Sequence, residues 1–138
     1  MASKLPRLAD LSAAEGLLLA QLAAGALLLG AGLRLLALRR LARLRLGPFP
    51  LFPRRHPIER VALLAGWAAH LSLGQGRCLA RSLLLYWLLR ARGEAAVLHI
   101  GVARKAAGLD AHAWVEHAGR VICDSADMTG RYAPLARI

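Results

Sequence analysis

The sequence is poor in cysteine and lacks the residue spacings of a metal site. Its two cysteines, Cys78 and Cys123, could form one disulfide, but no other feature is typical of a secreted protein. We therefore predict reduced thiols and a cytoplasmic location. No Cys/His spacing matches a ligand set, so we predict neither a metal nor another cofactor. A small-residue cleavage site behind a charged start is also lacking, which disfavours a signal peptide.

Acidic residues are scarce and aromatic residues are few. The chain has 8 acidic and 19 basic residues, a net charge of +11, and 5% aromatic residues. Such a charge predicts an acidic partner: a peptide with carboxylates, an anionic lipid surface or nucleic acid. Nucleic acid is disfavoured, because no base-reading motif occurs and few aromatic residues are interleaved with the basic ones.

Hydrophobic residues, in contrast, make up 57% of the chain. Globular proteins usually contain about 45–50%, so the chain either buries a large fraction of itself or contacts a membrane or a partner. The length of 138 residues supports one domain. Within it we predict a hydrophobic and basic helical region at 1–47, a proline-rich connector at 48–56, and a compact core at 57–138.

The N-terminal region has a clear helix start. Ser12 and Glu15 have the spacing of a capping box. From Gly16 to Leu33 no residue is charged, and these 18 residues reach the lower edge of what spans a bilayer. The alternative is a pair of buried or partner-covered helices, broken near Gly30–Gly32. We favour this alternative, because glycine and alanine dilute the apolar run.

The next segment, Arg34–Arg45, is basic and amphipathic when drawn as a helix. This pattern is typical of a helix that lies on a membrane surface or binds an acidic partner. A simple solvated face is the alternative interpretation.

A strong helix begins at Cys78. The turn-forming run Gly74–Arg77 precedes it, the helix continues through Leu89, and Gly93 is the predicted C-terminal cap. A cysteine at a helix N-terminus meets the positive end of the helix dipole, which favours the thiolate. Free N–H groups of the first turn can stabilise an oxyanion, and Gln75 is a candidate side-chain donor. Cys123 is better explained as an inert packing residue.

A histidine and a carboxylate follow on two short predicted strands, Asp110–Glu116 and Arg120–Asp124. We predict a three-residue loop, residues 117–119, with left-handed Gly119 at its end. The predicted cross-strand pairs are Glu116 with Arg120, Trp114 with Ile122, and His112 with Asp124. A two-residue loop would place His112 and Asp124 on opposite faces. Cysteine, histidine and carboxylate together are the parts of an activated thiol nucleophile.

The surroundings of His112 supply further candidates. Ala95–Val102 is predicted to be a strand, and Ala103–Leu109 a flexible basic loop beside His112. We name Trp114 and Lys105 as candidates for lining a substrate groove. Asp127 is the rival carboxylate, ranked second because it lies past the strand in a polar turn.

Several of these motifs resemble, in order and spacing, the leader peptidases of lasso peptide biosynthesis, a branch of the transglutaminase-like cysteine peptidases. They cover about half of the chain: Cys78–Ser82, Leu88–Gly93, His99–Val102, Ala111–Glu116, the strand ending at Asp124, and Arg131–Leu135.

The resemblance implies an α+β fold: a transglutaminase-like (papain-like) catalytic core at 57–138, with N-terminal helices and a small antiparallel sheet. It implies a catalytic triad of Cys78, His112 and Asp124. The implied reaction removes the leader from a ribosomally made lasso precursor at the leader–core junction. The length is similar to that of the stand-alone peptidase of split bacterial systems. The implied partners are therefore the precursor, a separate leader-recognition protein and a lasso cyclase.

Two other classes of function stay open. An acyltransferase of the same architecture would use an amine in place of water. A non-enzymatic membrane or scaffold protein would use the N-terminal helices and the basic face, and Cys78 would then be dispensable.

Overall fold

The helices and strands follow one another as an α+β chain. The computed structural model describes residues 11–35, 40, 56–70, 77–122 and 124–138. Most of the predicted connector at 48–56 and of the Arg34–Arg45 segment lies outside these residues, as do Gln75 and Cys123. The helices are α1 (Ala13–Leu35), α2 (Ile58–Ala69), α3 (Arg77–Ala91) and the short α4 (Met128–Arg131). The strands are β1 (Ala96–Lys105), β2 (Gly108–His117), β3 (Arg120–Ile122) and β4 (Ala133–Arg137).

The predicted capping box begins α1. The backbone N–H of Ser12 donates to Oε2 of Glu15 at 2.9 Å, and the N–H of Glu15 donates to Oγ of Ser12 at 3.2 Å. The helix then runs unbroken to Leu35, so the predicted break near Gly30–Gly32 is wrong. A glycine costs only about 1 kcal/mol inside a helix, which the packing of the helix can offset.

One stripe of α1 is buried against the other helices. Leu18, Leu22 and Ala26, spaced four residues apart, are 0–2% exposed. They share a core with α2 and α3. Among the described residues, no helix combines the length and the apolar character needed to cross a membrane.

Helix α3 is central to the core. It packs on α1 and α2 on one side and on β1 and β2 on the other. Its end has the predicted cap: Gly93 has φ +76°, and the N–H of Glu94 returns to the carbonyl of Leu89 at 2.9 Å. The cysteine near the start of this helix is therefore carried by a helix that packs on both the other helices and the sheet.

The sheet is antiparallel with the strand order β3-β2-β1-β4. Strands β1 and β2 pair over ten positions, from Ala96 with His117 to Lys105 with Gly108. Only Ala106 and Ala107 join them, so the predicted loop Ala103–Leu109 is wrong. Gly108 has φ +124°, a conformation that glycine adopts easily. This glycine completes the tight turn, so both strands extend up to it.

The β2–β3 hairpin has a different register from the predicted one. Its pairs are His117 with Arg120, Glu116 with Val121, and Val115 with Ile122. The loop is the two residues Ala118 and Gly119, with φ of +50° and +74°. Two left-handed residues in succession are characteristic of a type I′ turn. The prediction failed because it allowed only the glycine a positive φ.

Side chains alternate between the two faces of the sheet. Ala96, Leu98 and Val115 face the helices and join the main core. The opposite face has a smaller cluster, formed by Trp114, Met128 and Tyr132. Because β3 pairs with β2 only up to Val115, the Gly108–Trp114 part of β2 has no described strand on that side. His112 lies along this open edge.

Candidate functional site

His112 and Asp124 are in direct contact. Nε2 of His112 lies 2.6 Å from Oδ2 of Asp124, and the two side chains are 21% and 14% exposed. A carboxylate only accepts hydrogen bonds, so Nε2 carries the proton and donates it. This tautomer leaves Nδ1 of His112 as the nitrogen able to accept a proton from another group.

The predicted contact therefore exists although the predicted register was wrong. Strand β3 ends at Ile122, and Asp124 lies in a bend after it. A residue outside the ladder is no longer bound to the two-residue alternation of a strand. The bend carries the carboxylate to the face of His112, which a continued strand with a two-residue loop would not do.

Both carboxylate oxygens of Asp124 accept hydrogen bonds, which favours its ionised form. Its Oδ1 accepts the backbone N–H of Ser125 at 3.0 Å, and its Oδ2 also accepts from Nη2 of Arg81 at 2.8 Å. Burial by itself would raise its pKa. The hydrogen bond from His112, the N–H of Ser125 and the charge of Arg81 outweigh burial and lower the pKa of Asp124 below its usual value.

Helix α3 contacts both Asp124 and the strand β2, which carries His112, through the face that carries Cys78. Arg81 and Ser82 follow Cys78 by three and four residues, the spacing of neighbours on one helix face. Arg81 binds Asp124, and the buried Oγ of Ser82 donates to the carbonyl of Ala113 at 2.8 Å. Ala113 is the residue after His112. Cys78 itself is a free, half-buried thiol at the second position of α3.

Two aromatic rings support the imidazole. The ring of His112 stacks on Tyr132 at 5.3 Å between centroids and on Trp114 at 6.5 Å. Trp114 is only 2% exposed and also stacks on His99 at 5.3 Å. Trp114, a candidate for lining a substrate groove, is buried and packs against His112, and its role in a groove stays a prediction.

Gly101 makes this packing possible. It pairs with His112 across β1 and β2. A Cβ at Gly101 would lie 2.7 Å from Cβ of Tyr132 and 3.0 Å from both Cη2 of Trp114 and the carbonyl oxygen of Ala133. These distances are below normal contact, so only glycine fits. Sequence reasoning missed this residue, because a glycine inside a strand signals a close approach without naming the partner.

Lys105 belongs to a polar network behind Tyr132. The hydroxyl of Tyr132 donates to Oδ2 of Asp110 at 2.8 Å, and Lys105 forms an ion pair with the same oxygen. The hydrogen bonds from Lys105 and Tyr132 lower the pKa of Asp110. The hydrogen bond to Asp110 is the main reason that the pKa of Tyr132 is raised. Lys105 is 56% exposed, and its role in a substrate groove stays a prediction.

The remaining candidates lie apart from this site or outside the described chain. Asp127 is exposed at the start of α4, and its side chain makes no cap hydrogen bond. Gln75, the candidate oxyanion donor, falls in the undescribed residues 71–76. No group of three or more His, Cys, Asp or Glu residues in the described part of the chain could hold a metal ion.

These features define an α+β protein in which the helix that carries a free cysteine packs on a small antiparallel sheet with a histidine–carboxylate pair at its open edge. The sequence model of the transglutaminase-like superfamily matches residues 20–137, and the chain belongs to this superfamily. The superfamily includes cysteine peptidases and acyltransferases and is typically catalytic. Comparisons with curated proteins and with solved structures found no match.

Proposed function

We propose that this chain is a cysteine peptidase that removes the leader from a ribosomally made lasso precursor peptide, together with a separate leader-recognition protein. The observation that carries the proposal is the 2.6 Å contact of His112 with Asp124, linked by Arg81 to the helix of Cys78. Membership of the transglutaminase-like superfamily supports the chemistry. The resemblance of the motifs around Cys78 and His112 supports the substrate.

In the proposed reaction the Cys78 sulfur attacks the carbonyl carbon of the leader–core bond. Nδ1 of His112 takes the thiol proton and delivers it to the leaving amine of the core, which leaves a thioester on Cys78. His112 then takes a proton from water, and the hydroxide attacks the thioester carbonyl. The C–S bond breaks, the leader leaves with a free carboxylate, and the proton returns from His112 to the Cys78 sulfur. Asp124 stabilises the protonated imidazole and maintains the tautomer with the proton on Nε2.

The first turn of α3 supplies the second part of the proposed chemistry. Backbone N–H groups at a helix N-terminus have no partner within the helix and can bind a developing oxyanion. Gln75 stays a candidate for an additional donor. The proposed location is the cytoplasm, where reducing conditions keep the thiol free.

The test is cleavage of a lasso precursor by wild-type protein and by Cys78→Ala, with the recognition protein present and the products identified by mass spectrometry. We expect separate leader and core from the wild type and intact precursor from Cys78→Ala, with circular dichroism unchanged. Cys123→Ala is the matched control and should retain most of the activity. Cleavage by Cys78→Ala would overturn the proposal.

The product masses also separate the alternative functions. An acyltransferase would give a leader joined to an added amine in place of a leader with a free carboxylate. A scaffold protein would give no product at all, and Cys78→Ala would retain its binding. Either result would replace the peptidase assignment.

A further inference from the structure

Arg81 has a position that the three proposed catalytic residues do not account for. Its Nη2 donates to Oδ2 of Asp124 at 2.8 Å, the same oxygen that accepts from His112 at 2.6 Å. The side chains of Arg81 and Asp124 are 25% and 14% exposed, so the pair is shielded from much of the solvent. Oδ2 of Asp124 therefore links helix α3, which carries Cys78, to the imidazole of His112.

Asp124 lies where few other groups can hold its carboxylate. Asp124 lies in a bend beyond the last residue of β3, and no strand ladder constrains it. Apart from His112, its side-chain hydrogen bonds come from Ser125, its own neighbour, and from Arg81 in a different element. Arg81 is thus the contact that ties the carboxylate to helix α3, as His112 ties it to β2.

Arg81 also stands in a defined relation to Cys78. It follows the cysteine by three residues on the same helix, where side chains are neighbours. Its stem passes Gly66 of α2, where an added Cβ would lie 3.8 Å from Cδ of Arg81. The guanidinium at the end of this stem is held by Asp124.

We propose that Arg81 is a positioning residue: it holds the Asp124 carboxylate against the nucleophile helix, and so sets where His112 stands relative to Cys78. The inference rests on the proposed function only in assuming that the Cys78 thiol is activated by His112. It requires no particular substrate.

The experiment measures Cys78 reactivity and precursor cleavage in parallel. In a Cys123→Ala background, alkylation by iodoacetamide at pH 7 reports the thiolate at Cys78 without any peptide substrate. We expect Arg81→Met to slow alkylation and to lower kcat about 10- to 100-fold, the usual loss for a group that orients a functional residue. KM should change little. Arg90→Met, an exposed arginine on the same helix, is the matched control and should match the background protein.

Two further variants separate positioning from mere stability. Arg81→Lys should restore much of the rate, because a single Arg81 nitrogen makes the contact and an ammonium can replace it. The double variant Arg81→Met/Asp124→Asn should be no slower than Asp124→Asn alone, since Arg81 acts through Asp124. Circular dichroism confirms that each variant is folded. If Arg81→Met does not fold, Arg81→Gln, which also lacks the charge, takes its place, and alkylation at the background rate in that variant would overturn the positioning role.

The outcomes are distinguishable from failure of the proposed function. Alkylation at the background rate in folded Arg81→Met, or losses that add fully in the double variant, would overturn the positioning role. If no protein cleaves the precursor but Arg81→Met and His112→Ala both slow alkylation, the peptidase proposal fails and the role of Arg81 stands.

Discussion

Asp124 and Asp127 are three residues apart, but only Asp124 is built into the site. Asp124 accepts from His112, Arg81 and Ser125, whereas Asp127 is exposed at the start of α4. We expect Asp124→Asn to lower kcat/KM for the precursor by about 100-fold or more, because it removes the charge that stabilises protonated His112. The loss should be smaller than for Cys78→Ala, since a thiol is an intrinsically good nucleophile.

Asp127→Asn is the control for this comparison and should have little effect on the same rates. If Asp127→Asn is the inactive variant, the carboxylate of the site has to be reassigned.

Gly101 is the residue at which the packing around His112 tolerates no side chain. We expect Gly101→Ala to destabilise the protein by about 1–3 kcal/mol, as overpacking of a well-packed site does, and to lower activity. The reason is the 2.7 Å approach to Cβ of Tyr132, together with a backbone oxygen that cannot move aside easily. Urea unfolding followed by circular dichroism gives the free energy.

Gly16→Ala provides the comparison, because an added Cβ there meets nothing within 4 Å. It lies in α1, where alanine is favoured over glycine by about 0.5–1 kcal/mol. If Gly101→Ala and Gly16→Ala were equally stable, the residues around Gly101 would be able to move aside without cost.

At the scale of elements, the β2–β3 turn has one residue that suits its conformation poorly. Ala118 has φ +50°, a region that costs an ordinary L-residue about 1–2 kcal/mol and that asparagine adopts more readily. We expect Ala118→Asn to stabilise the protein by about 0.5–1 kcal/mol. Gly119→Ala should have the opposite sign, because Gly119 has φ +74°. The denaturant midpoints of the two variants measure both changes, and a destabilising Ala118→Asn would contradict the two-residue turn.

The contact between α1 and α2 is expected to weaken in acid. Arg60 donates to Oε1 of Glu15 at 2.6 Å. This bond, with the backbone N–H of Ser12, lowers the pKa of Glu15 from 4.5 to about 2. The unfolded chain then binds more protons than the folded one between these pH values. The contribution to stability is complete above about pH 4.5 and is lost as the pH falls to about 2.

The measurement is the Tm of the wild type and of Glu15→Gln over this range. Glu15→Gln should have a lower Tm at pH 6, and the difference should vanish near pH 2. Glu59→Gln, an exposed glutamate in the first turn of α2, should change Tm little at pH 6. A Tm difference that is independent of pH would exclude the ion pair as its source.

At the scale of the whole molecule, the acidic residues are largely committed to internal pairs. Five of them have described partners: Glu15, Glu94, Asp110, Glu116 and Asp124. The 19 basic residues outnumber the 8 acidic ones, so the net charge of +11 is not balanced by any acidic side chain of the chain itself. This arrangement supports the proposal of an acidic partner or anionic surface, with the Arg34–Arg45 segment as the candidate contact. The lasso cyclase and the recognition protein are the proposed protein partners.

We expect the chain to cleave its precursor poorly when it acts alone. The superfamily match occupies residues 20–137, and the proposed function assigns leader recognition to a separate protein. Adding the recognition protein should raise the rate mainly through the effective concentration of the leader. The experiment compares initial rates with and without it, at precursor concentrations well below KM. Equal initial rates with and without the recognition protein would contradict the proposal that a separate protein recognises the leader. A precursor without its leader is the control.

Local signals in the sequence were sufficient for much of the structure. The capping box at Ser12 and Glu15, the helix beginning beside Cys78 and its cap at Gly93 were all predicted correctly, because each depends on residues within one turn. The α+β class and the side-chain contact of His112 with Asp124 were also predicted, although the two residues are not the cross-strand pair that was expected. The catalytic roles of these residues stay predictions.

What the sequence determined by itself was the set of reactive groups and the elements that carry them, since backbone propensity and capping act over a few residues. Only the tertiary structure decided the two-residue turn at Ala118, the unbroken course of α1, the burial of Trp114 and the contact of Arg81 with Asp124. Apart from the turn, which is a local choice between two registers, these features depend on residues tens of positions apart that meet in space. Packing and charge across those contacts outweigh the local preferences of either partner.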